Sequence, residues 1–428
     1  MWFAERGAYR SDMVAVRLSH FNVLFSILTA AGGLRRRELR GYTDAMSFIY
    51  LDYNATTPTD PRVAEAMGPF LTGFFGNPSS IHRAGREARR AVDRARSQVA
   101  ACLGCGADEV VFTSGGSEAN NLAIRGLVEA RGGGHVVTSA VEHPAVLEVV
   151  HALEREGRVS LSVVGVDQYG RVDPSDVQEA LQDETVLVTL MLANNEVGTL
   201  QPVAEVAAVC RENGICCHTD AAQAVGKVPV NAAMLGVDML SVAGHKMYAP
   251  KGIGALYLRR GVKIVPQILG AGHERGLRAG TENVLEMVGL GAACELVRLE
   301  AATEEEWLSS LRERLLVRLQ NGVEDLVEHG DPRHRLPNTL SVAFPGVDAT
   351  KLLTRLADQV AASAGAACHA GEVSVSRVLH AMGVDPEIAL STVRLSVGRF
   401  TTEEEVDRAA DAIVEAVGKM NSEFGIRN

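Results

Sequence analysis

Residues 215–246, ICCHTDAAQAVGKVPVNAAMLGVDMLSVAGHK, hold two short apolar runs, each closed by chemically active residues. Asp220 follows ICCHT, and His245-Lys246 follow VDMLSVA. Apolar runs this short read as strands buried on both faces of a sheet. A carboxylate at the end of a buried strand is costly unless a cation or several donors meet it. A lysine partly shielded from water has a lowered pKa and can form a Schiff base with an aldehyde. Lys251, between Pro250 and Gly252, is a second candidate for that chemistry; the stretch alone does not choose between them.

The same pattern extends outward. EVVFTSG (109–115), HVVTSAVEH (135–143), VSLSVVGVD (159–167) and TVLVTLMLANNE (185–196) read as strands. SEANNLAIRGLVEARG (117–132) and PVAEVAAVCRENG (202–214) read as helices joining them, and PRVAEAMGPFL (61–71) and SIHRAGREARRAVDRARSQVAACLG (80–104) as helices before them. Alternating strands and helices predict an α/β fold, with a mainly parallel sheet covered by helices on both faces. Polar groups stand just after the apolar runs: Ser114-Gly-Gly-Ser117, Glu142-His143, Asn194-Asn195-Glu196, Asp220-x-x-Gln223 and His245-Lys246. Strand carboxyl ends of a parallel sheet share one edge, so these groups are expected to form one site. Beyond residue 285 a long helical pattern through EEEWLSSLRERLLVRLQNGVEDLV (304–327) precedes NTLSVAFPG, the helix DATKLLTRLADQ, STVRLSVGRF and a final acidic helix. This suits a second, smaller α/β domain. The expected organisation is an extension over 1–45, an arm over 46–62, a large domain over 63–305 and a small domain over 306–428.

With 428 residues, 46% hydrophobic and 22% charged, the chain can bury a large core. A net charge of −11 argues against broad attraction to nucleic acid or an anionic membrane. Seven cysteines form an odd set with no small-scaffold pattern, which suits free thiols in a reducing, cytoplasmic setting. Cys102-x-x-Cys105 has no second pair at zinc spacing, so no metal site is expected; Cys216 and Cys217 read as small strand residues. Residues 1–45 carry seven arginines against four acids. FNVLFSILTAAGGL (21–34) is short for a membrane span, and its basic cluster follows the apolar run, unlike a secretory signal. The extension reads as an unusual targeting segment, a disordered arm or, the favoured reading, translation from a start codon placed too early, since Met46, which opens MSFIYLDYNATTP, is a natural start.

FTSGGSEANNLAI joins a strand to a helix through two glycines, and the exposed amides of that helix start make an anion site to which Ser117 can add a hydroxyl. It is neither a Walker loop nor GxGxxG, so a nucleotide is not indicated. Phosphate cradle, buried Asp and strand-end Lys are together what pyridoxal 5'-phosphate asks of a protein.

LDYNATTP, GNPSSIHRAGREA, FTSGGSEANNLAI, EHPAVL, NNEVGTLQPV, HTDAAQAVGK, GHKMYAPKGIGALY, RAGTEN and SAGAACHAG occur in this order from about residue 49. Together they resemble the cysteine desulfurase and selenocysteine lyase family, in the class V aminotransferase branch of pyridoxal phosphate enzymes. The resemblance implies fold type I, the architecture of aspartate aminotransferase. It implies Lys246 as the residue that carries the cofactor, with Lys251 on a turn. Asp220 would pair with the pyridine nitrogen, Gln223 with the phenolic oxygen, and His143 would stack on the ring and shuttle protons. Gly116, Ser117 and His245 would line the phosphate, and Asn195 would sit between ring and substrate. Thr281 would reach the phosphate of a partner subunit, which implies a homodimer. Many relatives have serine where this chain has Ala243, one phosphate hydrogen bond fewer. Arg394 would grip the substrate carboxylate, ahead of Arg399, with Asn54 nearby.

Cys368, in a small-residue stretch that suits a mobile loop, matches the family nucleophile, and His369 follows it. The implied reaction removes sulfur from L-cysteine, leaving L-alanine and a persulfide on Cys368 for a sulfur-acceptor protein such as an iron–sulfur scaffold. Selenocysteine lyase and a class V aminotransferase are the alternatives. No nucleic acid or membrane partner is implied.

Overall fold

The computed structural model describes residues 48–369 and 372–423, with side chains for all of these except 366–369 and 372–374. The extension over 1–45 lies outside the described residues. Seven strands form the main sheet: β2 (Val110–Thr113), β3 (Gly134–Ser139), β4 (Val159–Val164), β5 (Thr185–Thr189), β6 (Cys216–Asp220), β7 (Met239–Ala243) and β8 (Gly254–Leu258). They follow β1 (Ile49–Tyr50), which pairs elsewhere. The order across the sheet is β2-β8-β7-β6-β5-β3-β4. Only β8 runs against its neighbours, and since β2 and β7 both oppose it, all the others point the same way. Cys216 and Cys217 lie in β6, as their apolar setting predicts.

Every residue of β2, β6, β7 and β8 is buried, because helices cover both faces. Helix α1 (Arg83–Leu103) buries Ala88, Val92, Ala95, Val99 and Leu103, a stripe at three- and four-residue spacing, and ends at Gly104 in the left-handed conformation (φ 66°). Helix α2 (Gly116–Arg131) starts directly beyond β2, and α3 (Pro144–Arg155) starts beyond β3 with His143 as its N-cap.

A second sheet has the order β12-β15-β10-β9, formed by β9 (Val327–His329), β10 (Thr339–Ala343), β12 (Ser363–Ala364) and β15 (Thr392–Ser396), all antiparallel. Helix α4 (Val284–Gly322) serves both cores. Its first half sends Met287, Leu290, Ala293 and Val297 into the core of the large sheet, and its second half sends Leu308, Leu311, Leu315 and Leu319 into that of the small one. The N-terminal β1 pairs in parallel with β11 (Val360–Ala361), so the arm belongs to the small-sheet side before it crosses to the large one.

Three expectations differ. The stretch 61–71 is two helical pieces, Pro61–Met67 and Pro69–Thr72, because Pro69 has no N–H to continue the first. The long helix stops at Gly322; Asp325 takes a left-handed φ of 57° and Val327 enters β9. The segment read as a mobile loop contains a hairpin, in which β13 (Ala366–His369) pairs antiparallel with β14 (Glu372–Val375) and Cys368 stands opposite Val373. The Cys368 and His369 side chains lie outside the described residues.

Arg399 anchors the arm to this frame. Its guanidinium pairs with Asp60 (2.7 Å) and Glu304 (2.5 Å), and lies 4.3 Å from the centre of the Tyr248 ring. All four residues are buried. Removing one member of such a set strands the remaining charges. Arg399→Met should therefore cost about 3–5 kcal/mol of stability in urea unfolding; a loss below about 1 kcal/mol would contradict this role.

Candidate active site

The main strands of common direction end at one edge, and the structure brings most of the expected residues together there. Lys246 closes a short 3-10 turn (Gly244–Lys246) at the tip of β7. Its Nζ donates to the backbone oxygens of Asn54 (2.5 Å) and Ala55 (2.9 Å), both in the arm. No carboxylate pairs with it among the described residues. Burial and the Arg394 guanidinium lower its pKa to about 8, against the opposing pull of Asp220 and Asp52. Lys251 lies on the following turn, where its Nζ donates to the Thr57 oxygen (3.4 Å).

Asp220, at the end of β6, accepts hydrogen bonds from Asn120 Nδ2 (2.7 Å) and the Ala222 N–H (2.9 Å). Both donors are neutral, and among the described residues no ion pair balances this buried carboxylate. Gln223 is buried beside it; its Nε2 donates to the Asn54 oxygen (2.9 Å), and its Oε1 accepts from Lys227 Nζ (2.5 Å). His143 Nδ1 accepts from the Ala145 N–H (3.0 Å), so a neutral ring carries its proton on Nε2. Desolvation lowers the His143 pKa; Asp220 opposes this and Lys246 reinforces it. The neighbouring Glu142 is fully buried. It accepts from Ser139 Oγ (2.7 Å) and the Met191 N–H (2.8 Å), yet burial, with a contribution from Asp220, raises its pKa to about 8. At neutral pH it is mostly protonated and adds little charge beside Asp220.

The start of α2 is shaped for an anion. Gly115 is its N-cap and no side chain caps it, which leaves first-turn amides facing outward with Ser117 exposed beside them. A Cβ on Gly116 would meet the Ala243 methyl at 3.2 Å, so the small residues at both positions keep this cradle open. His245 Nδ1 lies 3.2 Å from Thr56 Oγ1, and burial and three nearby lysines lower its pKa to about 4, which keeps the ring neutral.

Arg394, on β15, reaches this edge from the small sheet. It donates to Asp52 Oδ1 (2.6 Å), Ser363 Oγ (2.8 Å) and the Asn195 oxygen (3.1 Å), while its buried Nε has no partner among the described residues. The competitor Arg399 is consumed in the buried network described above. Asn195 uses its backbone oxygen to bind Asn54 and Arg394. Asn54 differs from the substrate contact expected of it. It is 1% exposed, its Nδ2 goes to Asn195 and Thr339, and its Oδ1 accepts from Lys227 and Asn338. Its side chain therefore orders the site from behind. Thr281 is exposed, in a segment tied to α2 by the Arg278–Glu118 pair (2.8 Å). A cavity of about 510 Å³ between α1 and this segment, lined by Arg89, Arg96, His273 and Glu282 among others, contains none of the residues around Lys246.

Sequence reasoning passed over Asn120, Lys227, Asp52 and Ser363. Each lies inside or beside a recognised motif, and the one available signal was Lys227, a charge within the apolar run AVGKVPV.

The chain matches the family Aminotransferase class-V over residues 49–409. It is 44% identical over 377 residues to the cysteine desulfurase IscS of Dictyoglomus turgidum, covering 87% of this chain and 95% of that one. To the IscS of Escherichia coli O139:H28 it is 46% identical over 382 residues, covering 87% and 93%. Among solved structures, a NifS-like protein superposes with a TM-score of 0.82 at 37% identity, covering 87% of this chain and all of that one. SspA in complex with cysteine superposes at 0.74 with 35% identity, covering 83% and 100%. The chain thus belongs to the class-V aminotransferase family, among its IscS- and NifS-like members.

Proposed function

We propose that this protein is a cysteine desulfurase that uses pyridoxal 5'-phosphate to take sulfur from L-cysteine, giving L-alanine and a persulfide on Cys368. The observation that carries the reading is Lys246: a desolvated amine held by two backbone carbonyls, at the same strand edge as an unbalanced buried carboxylate and an uncapped helix start. These residues fit the cofactor. Lys246 would hold its aldehyde carbon, Asp220 its ring nitrogen as a proton-bearing cation, Gln223 its phenolic oxygen, and the Gly116–Ser117 amides with His245 its phosphate. When bound, the group supplies an electron sink that makes the substrate α-proton removable.

The remaining work falls to the chain. The substrate carboxylate is gripped by Arg394, whose guanidinium is already oriented by Asp52, Ser363 and the Asn195 oxygen. Lys246, with its lowered pKa, serves as base for the α-proton near neutral pH. His143 presents Nε2 to the site because Nδ1 is occupied by the Ala145 N–H, which suits it to pass protons. Cys368, as thiolate, attacks the substrate sulfur: the new S–S bond forms, the C–S bond breaks, and the electron pair left on carbon is protonated to complete alanine. An acceptor protein such as an iron–sulfur scaffold then takes the sulfur. We place the reaction in a homodimer in the cytoplasm, with Thr281 serving the partner's site. Among the described residues no helix is long and apolar enough to cross a membrane.

Three outcomes test this. Cys368→Ala should bind the cofactor and change its absorbance with cysteine, yet form no persulfide; full turnover by this variant would remove Cys368 from the reaction. His143→Ala should lower turnover by about 100-fold or more with cofactor still bound, and near wild-type turnover would refute its proton role. In the apoprotein, Lys246 should react with an aldehyde reagent with a midpoint near pH 8, because the amine is protonated and unreactive below its pKa. A midpoint near the ordinary 10.5 would contradict its desolvated setting.

A further inference from the structure

Lys227 has no task in this scheme, although it lies at the site's centre. It is 7% exposed, and its Nζ donates to Gln223 Oε1 (2.5 Å) and Asn54 Oδ1 (2.9 Å). Among the described residues it has no ion pair. The charged groups facing it are Lys246 and Arg394, both cations, and together with burial they push its pKa well below the ordinary value. Both of its contacts among the described residues are donations to amide oxygens.

This pairing decides the direction of two amides. A side-chain amide has an acceptor end and a donor end of nearly the same shape, and its partners choose between them. Lys227 draws Gln223 Oε1 and Asn54 Oδ1 toward itself. Gln223 must then turn Nε2 the other way, where one N–H goes to the Asn54 oxygen (2.9 Å). That same oxygen receives Lys246 Nζ (2.5 Å), and the second N–H of Gln223 has no partner among the described residues. Without Lys227 the amide keeps one anchor, the Asn54 oxygen that accepts from Nε2 (2.9 Å), and loses the donor that holds its oxygen end away from the anion it should stabilise.

We infer that Lys227 is a positioning residue for the cofactor: by holding the Gln223 and Asn54 amides in one orientation, it makes Gln223 present an N–H, and not an oxygen, to the cofactor's phenolic oxygen. The inference rests on the cofactor reading above. An N–H there stabilises negative charge on that oxygen, so its loss makes the neighbouring nitrogen hold its proton more tightly. The groups that also face Lys246 are Arg394, Asp220 and Asp52.

The test is a double-mutant cycle on the full chain: wild type, Lys227→Met, Gln223→Ala and the double variant. Each apoprotein is titrated with pyridoxal 5'-phosphate, and the pH midpoint of the bound cofactor's visible band is read. Lys227→Met should weaken binding about tenfold, the worth of one lost hydrogen bond, and raise the midpoint by about half a pH unit or more. In the Gln223→Ala background it should add less than about twofold, because the amide it orients is gone. A folded Lys227→Met protein with unchanged affinity and midpoint overturns the proposal, as does a loss of equal size in both backgrounds. Should Lys227→Met fail to fold, the same cycle with Lys227→Gln decides, since its side chain is one bond shorter and its N–H groups stop short of the place where Lys227 Nζ meets both acceptors. A midpoint shift that vanishes with Gln223→Ala supports the proposal; no shift, or one that persists, overturns it. Wild-type protein that binds no pyridoxal 5'-phosphate overturns the cofactor reading itself, and is seen before any variant is made.

Discussion

The backbone oxygen of Asn54 accepts both Lys246 Nζ and Gln223 Nε2, and the site depends on that shared acceptor. A carboxylate in its place would hold Lys246 as a strongly basic ammonium. A neutral carbonyl satisfies one N–H without adding a charge, so desolvation and nearby cations set the basicity. The result is an amine that is free for chemistry near neutral pH. The arm that supplies the carbonyl is about 190 residues away in sequence. Its position is therefore a tertiary achievement, secured by β1 pairing with β11 on one side and by Asp60 in the Arg399 network on the other.

These attachments join the two halves of the mechanism. Asp52, two residues before Asn54, orients Arg394. One strap thus sets both the amine that would carry the cofactor and the guanidinium that would hold the substrate carboxylate. Helix α4 runs under both cores and fixes the separation of the sheets that bear them. A change that loosens the strap is therefore felt at both ends of the substrate together.

Much of this was legible in the sequence for a physical reason. Strands buried on both faces must be continuous apolar runs, and the residues that end them fall on one edge because the strands run together. Asp220, Gln223, His143 and Lys246 could be placed at that edge from local pattern, while the choice of Lys246 over Lys251 and the roles of Gln223 and His143 came from the family resemblance. Asn54, Asp52 and Lys227 could not. Their partners are long-range, and no periodicity in the chain reports a hydrogen bond between residues more than 150 positions apart, as from Lys227 to Asn54. The end of α4 was missed because QNGVEDLV carries no proline to stop a helix; the turn depends on Asp325 adopting a left-handed conformation. The break at Pro69 was visible, and its missing N–H is sufficient cause.

The most direct measurement is borohydride reduction of freshly isolated holoprotein, followed by peptide mapping by mass. The account predicts a pyridoxyl phosphate group on the Lys246 peptide and on no other lysine, including Lys227 and Lys251. Labelling at either of those, or no labelled peptide from protein that carries the cofactor, would contradict it.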